Sequence, residues 1–266
     1  MPWGPKQVGI GLAMAFGVFV AVQLVVVAFY VAGYDFRPED AGDVFVKAGR
    51  VAAYADRRLQ AAANSAPLSV PPHLLADRTS LELLIWINIL SQVAFFGVVG
   101  LASGQTFRGL VAALGLNHYH LKSIWRPALA MIAAYIFVIL YSIVVEALGI
   151  GILEPQSTVP TEILRYGSTA AAASAMIVIG APVSEEFLFR GFMFGGLLRW
   201  GFWPAAALSS LLFTLLHFDP GSVIPFFCIG LAMCWLFRSR GTLWDSMIFH
   251  GLFNGTSLVI LLAVGS

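Results

Sequence analysis

Two adjacent carboxylates, Glu185 and Glu186, and one guanidinium, Arg190, interrupt an otherwise uncharged and largely apolar run from about Tyr166 to Leu198. Ionisable groups at membrane depth are costly, so they face a protein interior or a water-filled cavity and mark function. Helical spacing separates the two acids. Glu186 and Arg190 are four residues apart with the acid first, the favourable order for an ion pair on one helix face. Glu185 is turned about 100° away and has no local partner. An unpaired buried carboxylate is the one able to act as a base. The pair reads as a structural brace and Glu185 as the working group.

Three further polar residues stand in later apolar segments: His217, at the end of Phe213-Thr-Leu-Leu-His217, and His250 with Asn254 in His250-Gly-Leu-Phe-Asn254. A single histidine in an apolar helix is commonly a packing residue, but here the depths agree. Glu185 lies about 15 residues before the Arg199–Trp203 connection and His217 about 15 after it. Antiparallel helices rising ~1.5 Å per residue therefore bring them to one height. His250 and Asn254 share a face about 10–14 residues from the Arg238–Gly241 turn, on the same side.

A carboxylate with an imidazole can hold and deprotonate a water. A second imidazole with an amide can donate hydrogen bonds to the oxyanion of a tetrahedral intermediate. That set describes amide hydrolysis by activated water without a covalent intermediate. Ser184 is weaker as a nucleophile, because no nucleophile-elbow motif surrounds it and no base is placed beside it. Two histidines and a glutamate are also a zinc-type donor set, although no H-E-x-x-H is present. The preferred chemistry needs no cofactor, with zinc the alternative.

Composition says what must position these groups. The 266 residues are 59% hydrophobic and only 11% charged, with mean hydropathy +0.85. A soluble domain is about 45–50% apolar and about 25% charged, so this is an integral membrane protein. Several segments reach the ~20 apolar residues that a helix needs to cross a bilayer. The fold class expected is therefore all-α, a polytopic transmembrane bundle. Net charge is +1, and no basic cluster with interleaved aromatics points to nucleic acid. Cys228 and Cys234, six apart in one apolar segment, read as small packing residues rather than a disulfide or zinc pair.

Seven spans are expected, at about Val8–Gly33, Leu81–Ser103, Pro127–Gly149, Gly167–Leu198, Trp203–His217, Ser222–Phe237 and Trp244–Val264. An eighth is allowed if residues 104–125 hide a re-entrant piece. The first uncharged run is too long for a signal-peptide core of ~7–15 residues and reads as an uncleaved helix. Residues 34–80 form a polar loop with six Lys/Arg and six Asp/Glu; a short amphipathic surface helix and a plain solvated loop are both compatible with it. His118 and His120 are two apart and so point to different helix faces, which suits an interfacial loop. Pro182 should kink or restart the fourth span beside the carboxylates. Gly191, Gly195 and Gly196 should let a neighbour approach closely.

The expected organisation is residues 1–165 as N-terminal spans and 166–266 as a catalytic core within one membrane unit. A cytoplasmic N-terminus places Lys6, Arg108, Lys122, Arg126, Arg199, Arg238 and Arg240 inside, with Arg165 and the 34–80 loop outside. The short loops then follow the positive-inside rule.

E-E-x-x-x-R, F-x-x-x-H and H-x-x-x-N in successive helices, with LFRSRGTLWDSMIFHGLFN before the last, resemble the CPBP (Abi) family of CAAX prenyl and bacteriocin-processing membrane proteases. The likeness covers about Ala170–Asn254. It implies a glutamate-dependent intramembrane endopeptidase, with Glu185 and His217 activating water, His250 and Asn254 forming the oxyanion hole, and Glu186 and Arg190 bracing the site. The expected partners are the bilayer and a membrane-presented peptide or protein, prenylated or otherwise lipid-modified among the candidates. The expected location is the cell membrane. A non-catalytic immunity, scaffold or transport protein is the rival from another class, and it would be supported by a missing motif residue; none is missing.

Overall fold

The computed structural model describes residues 1–33, 60, 78–117, 119, 121–155, 167–217 and 219–264. The surface helix expected within 34–80 lies, but for Gln60 and Arg78–Ser80, outside the described residues, as do His118, His120 and Arg165. Among the described residues there is no strand. The helices are α1 (Pro5–Gly33), α2 (Arg78–Ser103), α3 (Phe107–Ala113), α4 (Trp125–Leu148), α5 (Gly167–Trp200), α6 (Phe202–Leu215), α7 (Val223–Arg240) and α8 (Trp244–Val264). Six of these, all but α3 and α6, are long and apolar enough to cross a membrane. The seventh apolar helix, α6, has 14 residues. At ~1.5 Å per residue it falls short of the ~30 Å hydrocarbon core. About seven spans is compatible with this set.

A bilayer offers no water to backbone groups, so each span must satisfy its own ladder as a helix. Its ends are set by residues that break that ladder. Gly149 and Gly241, both left-handed at φ +67° and +66°, close α4 and α7, as glycine does where a Cβ would clash. Thr106 caps α3 by accepting from the Gly109 N–H at 3.2 Å, satisfying one of the donors that a helix start leaves open.

Helix α5 sits at the centre. Its neighbours are α1, α2, α6, α7 and α8, and every residue from Glu186 to Leu197 is buried. Phe192 and Phe194 are fully buried with Met233 and Leu236 of α7 and Phe249 of α8. The outer surface carries the apolar residues a lipid-facing belt needs, such as Phe16, Leu101, Ile132 and Leu140. The glycines of α5 work as expected. A Cβ at Gly196 would meet Val8 at 2.5 Å and Trp3 at 2.6 Å, and one at Gly191 would meet Leu114 at 3.0 Å.

One end of the bundle gathers the basic loops. Arg199 packs on Gly4, the Leu243 N–H donates to the Leu114 carbonyl at 2.9 Å, and Thr242 Oγ1 donates to the Gly115 carbonyl at 2.8 Å. The start of α1, the α5–α6 turn, the segment around α3 and the α7–α8 turn therefore share a side.

Helices α6 and α7 approach through Gly230, where a Cβ would stand 2.7 Å from Ser210 Cβ and Oγ. Gly230→Ala should cost ~1–3 kcal/mol by overpacking. Thermal unfolding in detergent checks this, and an unchanged midpoint would show that the contact yields.

Candidate active site

The chain around Glu185 is not a plain α-helix. Helix α5 widens to π turns at Met176–Gly180 and again at Phe187–Phe194, with α-helix at Ala181–Glu186 between them. The α register restarts at Ala181 with Pro182 in its first turn, and the turn before it is widened rather than broken. Such π segments are rare and concentrate at functional sites.

Glu186 is fully buried and its Oε1 accepts from Arg190 Nη1 at 2.9 Å and from His250 Nδ1 at 3.0 Å. A carboxylate oxygen accepts only, so the imidazole nitrogen is the donor. The pair expected from i,i+4 spacing is present, and it extends to α8. Arg190 also lies over the Phe213 ring, its Cζ 4.1 Å from the centroid, a desolvated cation–π contact worth about 2 kcal/mol.

Phe213 is the hub that spacing alone did not single out. Its ring centroid is 4.7 Å from that of His217, 5.7 Å from His250 and 5.6 Å from Phe189. One aromatic side chain thus separates the two imidazoles and floors the guanidinium. The i,i+4 relation of Phe213 to His217 was the available signal, since it puts both on one helix face.

His217 is not inside α6 but in the turn that ends it. Its N–H donates to the Thr214 carbonyl at 3.1 Å, and its Nδ1 lies 2.8 Å from the Phe213 carbonyl. A carbonyl likewise only accepts, so Nδ1 carries the proton there. The ionisable side chains around this ring are Glu185, His250 and Arg190. Glu185 Oε2 is buried and has no hydrogen-bond partner among the described residues. Asn254 Nδ2 donates to the Ile177 carbonyl at 2.9 Å, in the first widened stretch of α5.

Ser184 Oγ donates back to the Gly180 carbonyl at 2.9 Å, so its hydroxyl is engaged with its own helix. Cys228 and Cys234 are free thiols. Among the described residues no three or more His, Cys, Asp or Glu side chains are grouped so as to hold a metal ion. An apolar cavity of about 290 Å³ is lined by Phe96, Val183, Phe187, Trp244 and Met247, among others. Val183 and Phe187 flank Glu185 by two residues on either side.

Each imidazole therefore spends Nδ1 on the protein, and any contact with water or substrate falls to Nε2. The carboxylate and the two rings come from α5, the turn after α6, and α8, and the Asn254 amide, one turn beyond His250, reaches the irregular backbone of α5. That stretch is also where likeness to known proteins is found. Residues 167–256 match the family described as type II CAAX prenyl endopeptidase, Rce1-like. Over those residues the chain is similar to that family, in keeping with the CPBP (Abi) resemblance its motifs carry. All seven motif positions, Phe213 included, lie inside the matched segment, which runs from the start of α5 into α8.

Two relatives illustrate its reach. UPF0177 protein YxdF of Lactococcus lactis subsp. lactis (strain IL1403) is 31% identical over 84 residues, 30% of this chain and 46% of that one. "Putative membrane peptidase YdiL" of Bacillus subtilis (strain 168) is 28% identical over 94 residues, 34% of this chain and 38% of that one. The match spans less than half the length of either relative. No solved structure matches.

The Glu186–Arg190 brace should reveal itself in stability. Glu186→Gln leaves Arg190 buried without its counter-charge and should cost about 3–5 kcal/mol. Glu185→Gln breaks no hydrogen bond of Oε2 and should stay within about 1 kcal/mol of the parent. Parallel melting curves in detergent decide it, and equal losses would overturn the division between the two acids.

Proposed function

We propose that this chain is an intramembrane endopeptidase that hydrolyses a peptide bond with water activated by Glu185 and His217. The observation that carries the reading is the buried Glu185 carboxylate oxygen without a partner among the described residues, beside an imidazole whose Nδ1 is fixed on the Phe213 carbonyl. Likeness over residues 167–256 to the type II CAAX prenyl endopeptidase family supports the reaction class.

In the proposed step Glu185 takes one proton of the water while neutral His217, through Nε2, accepts a hydrogen bond from the other. The oxygen adds to the carbonyl carbon, and the carbonyl electrons move to its oxygen. Donors preorganised at that oxygen lower the barrier, since they cost no reorganisation when charge develops. Asn254 has a second Nδ2 proton beyond the one given to Ile177. His250 gives its Nδ1 proton to Glu186, so it donates from Nε2 only as the imidazolium. Glu186 balances that charge, as a carboxylate does when it orients a catalytic histidine. Collapse of the adduct breaks the carbon–nitrogen bond, and the proton on Glu185 passes to the leaving amine. The products are a carboxylic acid and an amine, and the enzyme is restored.

The substrate is a peptide or protein segment presented at the membrane, and the chain is a multi-pass protein of the cell membrane. The apolar cavity beside Val183 and Phe187 favours a substrate with a large apolar group near the cleaved bond, a lipid-modified residue included. No cofactor is required.

The test is proteolysis by purified protein in detergent or vesicles against a library of membrane-presented and prenylated peptides. Glu185→Gln should fold and lose ~10²–10⁴ of the rate, the range for removing a general base. Activity of the parent should survive a strong chelator. Full activity in Glu185→Gln would sink the mechanism, and loss on chelation with recovery on added Zn²⁺ would establish a zinc enzyme instead.

A further inference from the structure

Asn254 does not find its backbone partner by chance. In an α-ladder the Ile177 carbonyl would accept from residue 181, and in a π-ladder from residue 182. Here the Ala181 N–H donates to the Met176 carbonyl instead, and residue 182 is proline, which has no N–H to give. The two ordinary donors to Ile177 are thus both removed, one by the wide turn and one by covalent structure. A carbonyl left over in a span must be satisfied by a side chain of a neighbouring helix. Asn254 Nδ2 does so at 2.9 Å.

The approach of α8 that makes this contact depends on Gly251. A Cβ there would stand 3.0 Å from the Val178 carbonyl oxygen. Val178 is the residue whose α-ladder donor would also have been residue 182. Gly251 and Asn254 therefore dock on the stretch of α5 whose ladder Pro182 interrupts. The Ile177 oxygen only accepts, so it also decides which way the Asn254 amide faces, with Nδ2 toward α5.

We infer that Pro182 is a positioning residue for Asn254: by withholding a backbone N–H it keeps the Ile177 carbonyl open to the Asn254 amide and so sets that amide's orientation in the site. The inference rests on the function proposed above for Asn254. Alanine at position 182 would supply the missing donor to Val178. The segment could then return to an α register, in which the Ala181 N–H takes the Ile177 carbonyl and Asn254 is displaced from it.

The chain has four asparagines, Asn64, Asn88, Asn117 and Asn254, so ¹⁵N-asparagine labelling gives four side-chain amide pairs by NMR. The Asn254 pair is identified by its loss in Asn254→Ala. In the parent one of its protons should be downfield and slow to exchange. In Pro182→Ala that proton should move upfield and exchange faster, and kcat should fall about tenfold with KM little changed, the pattern for loss of an interaction made only in the transition state. Gly251→Ala, which lifts α8 from the same carbonyls without touching the proline, should give the same change in the amide pair and covers the case in which Pro182→Ala does not fold. An Asn254 amide pair unaltered by the folded variant or variants overturns the inference, whatever the activity does. Full activity in Asn254→Ala would overturn the oxyanion role beneath it, which the amide spectrum does not address.

Discussion

The constraint on which this bundle depends is the need to satisfy backbone carbonyls where there is no water. Helix α5 does not close its own ladder in the regular way, and three of its carbonyls accept side-chain donors from other helices. Asn254 of α8 donates to Ile177, Ser209 of α6 to Phe189 at 2.9 Å, and the Trp3 indole, just before α1, to Phe192 at 2.8 Å. An unpaired polar group in hydrocarbon costs several kcal/mol, so each donor is held firmly to its acceptor. Apolar packing between spans has little direction, because lipid tails are as apolar as leucine. These directional bonds fix what packing leaves loose: the rotation of α8 and α6 about their axes and the seat of the chain's start.

The charges depend on that arrangement in turn. Glu186 joins α5 to α8 only if the His250 face of α8 is turned toward α5, and the bond from Asn254, one turn further on, turns it. Glu186 Oε1 accepts from both Arg190 and His250, and Phe213 of α6 lies against both side chains. A buried ion pair alone is weak evidence of stability, since desolvation offsets attraction. Its value here lies in position: the shared oxygen gives His250 one ring orientation and leaves its Nε2 edge for other work.

Much of this was legible in the sequence. Apolar run lengths gave the spans because a bilayer imposes a minimum length, and i,i+4 spacing gave the Glu186–Arg190 pair because even a partly widened helix keeps those positions adjacent. The common depth of Glu185, His217 and His250 followed from counting residues to shared turns. What escaped was everything set by departures from regularity. Pro182 was read as a kink or a restart because its lost hydrogen bond is local knowledge, whereas the widening of α5 depends on neighbours able to take the freed carbonyl. His217 was placed in a span, yet α6 ends at Leu215 and the ring folds back on Phe213. Phe213 itself looked like any aromatic in an apolar run, and only its three-dimensional place between Arg190 and two imidazoles distinguishes it.

Several buried polar atoms of the site have no hydrogen-bond partner among the described residues, Glu185 Oε2, Glu186 Oε2 and Arg190 Nη2 included. Ser209, Trp3, Asn254 and Glu186 Oε1 all join partners from different parts of the chain, while Glu185 Oε2 is buried and joins none among the described residues. An unsatisfied buried acceptor costs about 1–3 kcal/mol, more if charged, and a marginally stable protein does not carry that cost without consequence. A glutamine or leucine at 185 would relieve it while leaving the Glu186–Arg190–His250 network untouched. The two glutamates differ in what they join: Glu186 ties Arg190 and His250 through Oε1, whereas Glu185 Oε2 has no hydrogen-bond partner among the described residues, and the proposed division between brace and base rests on that difference.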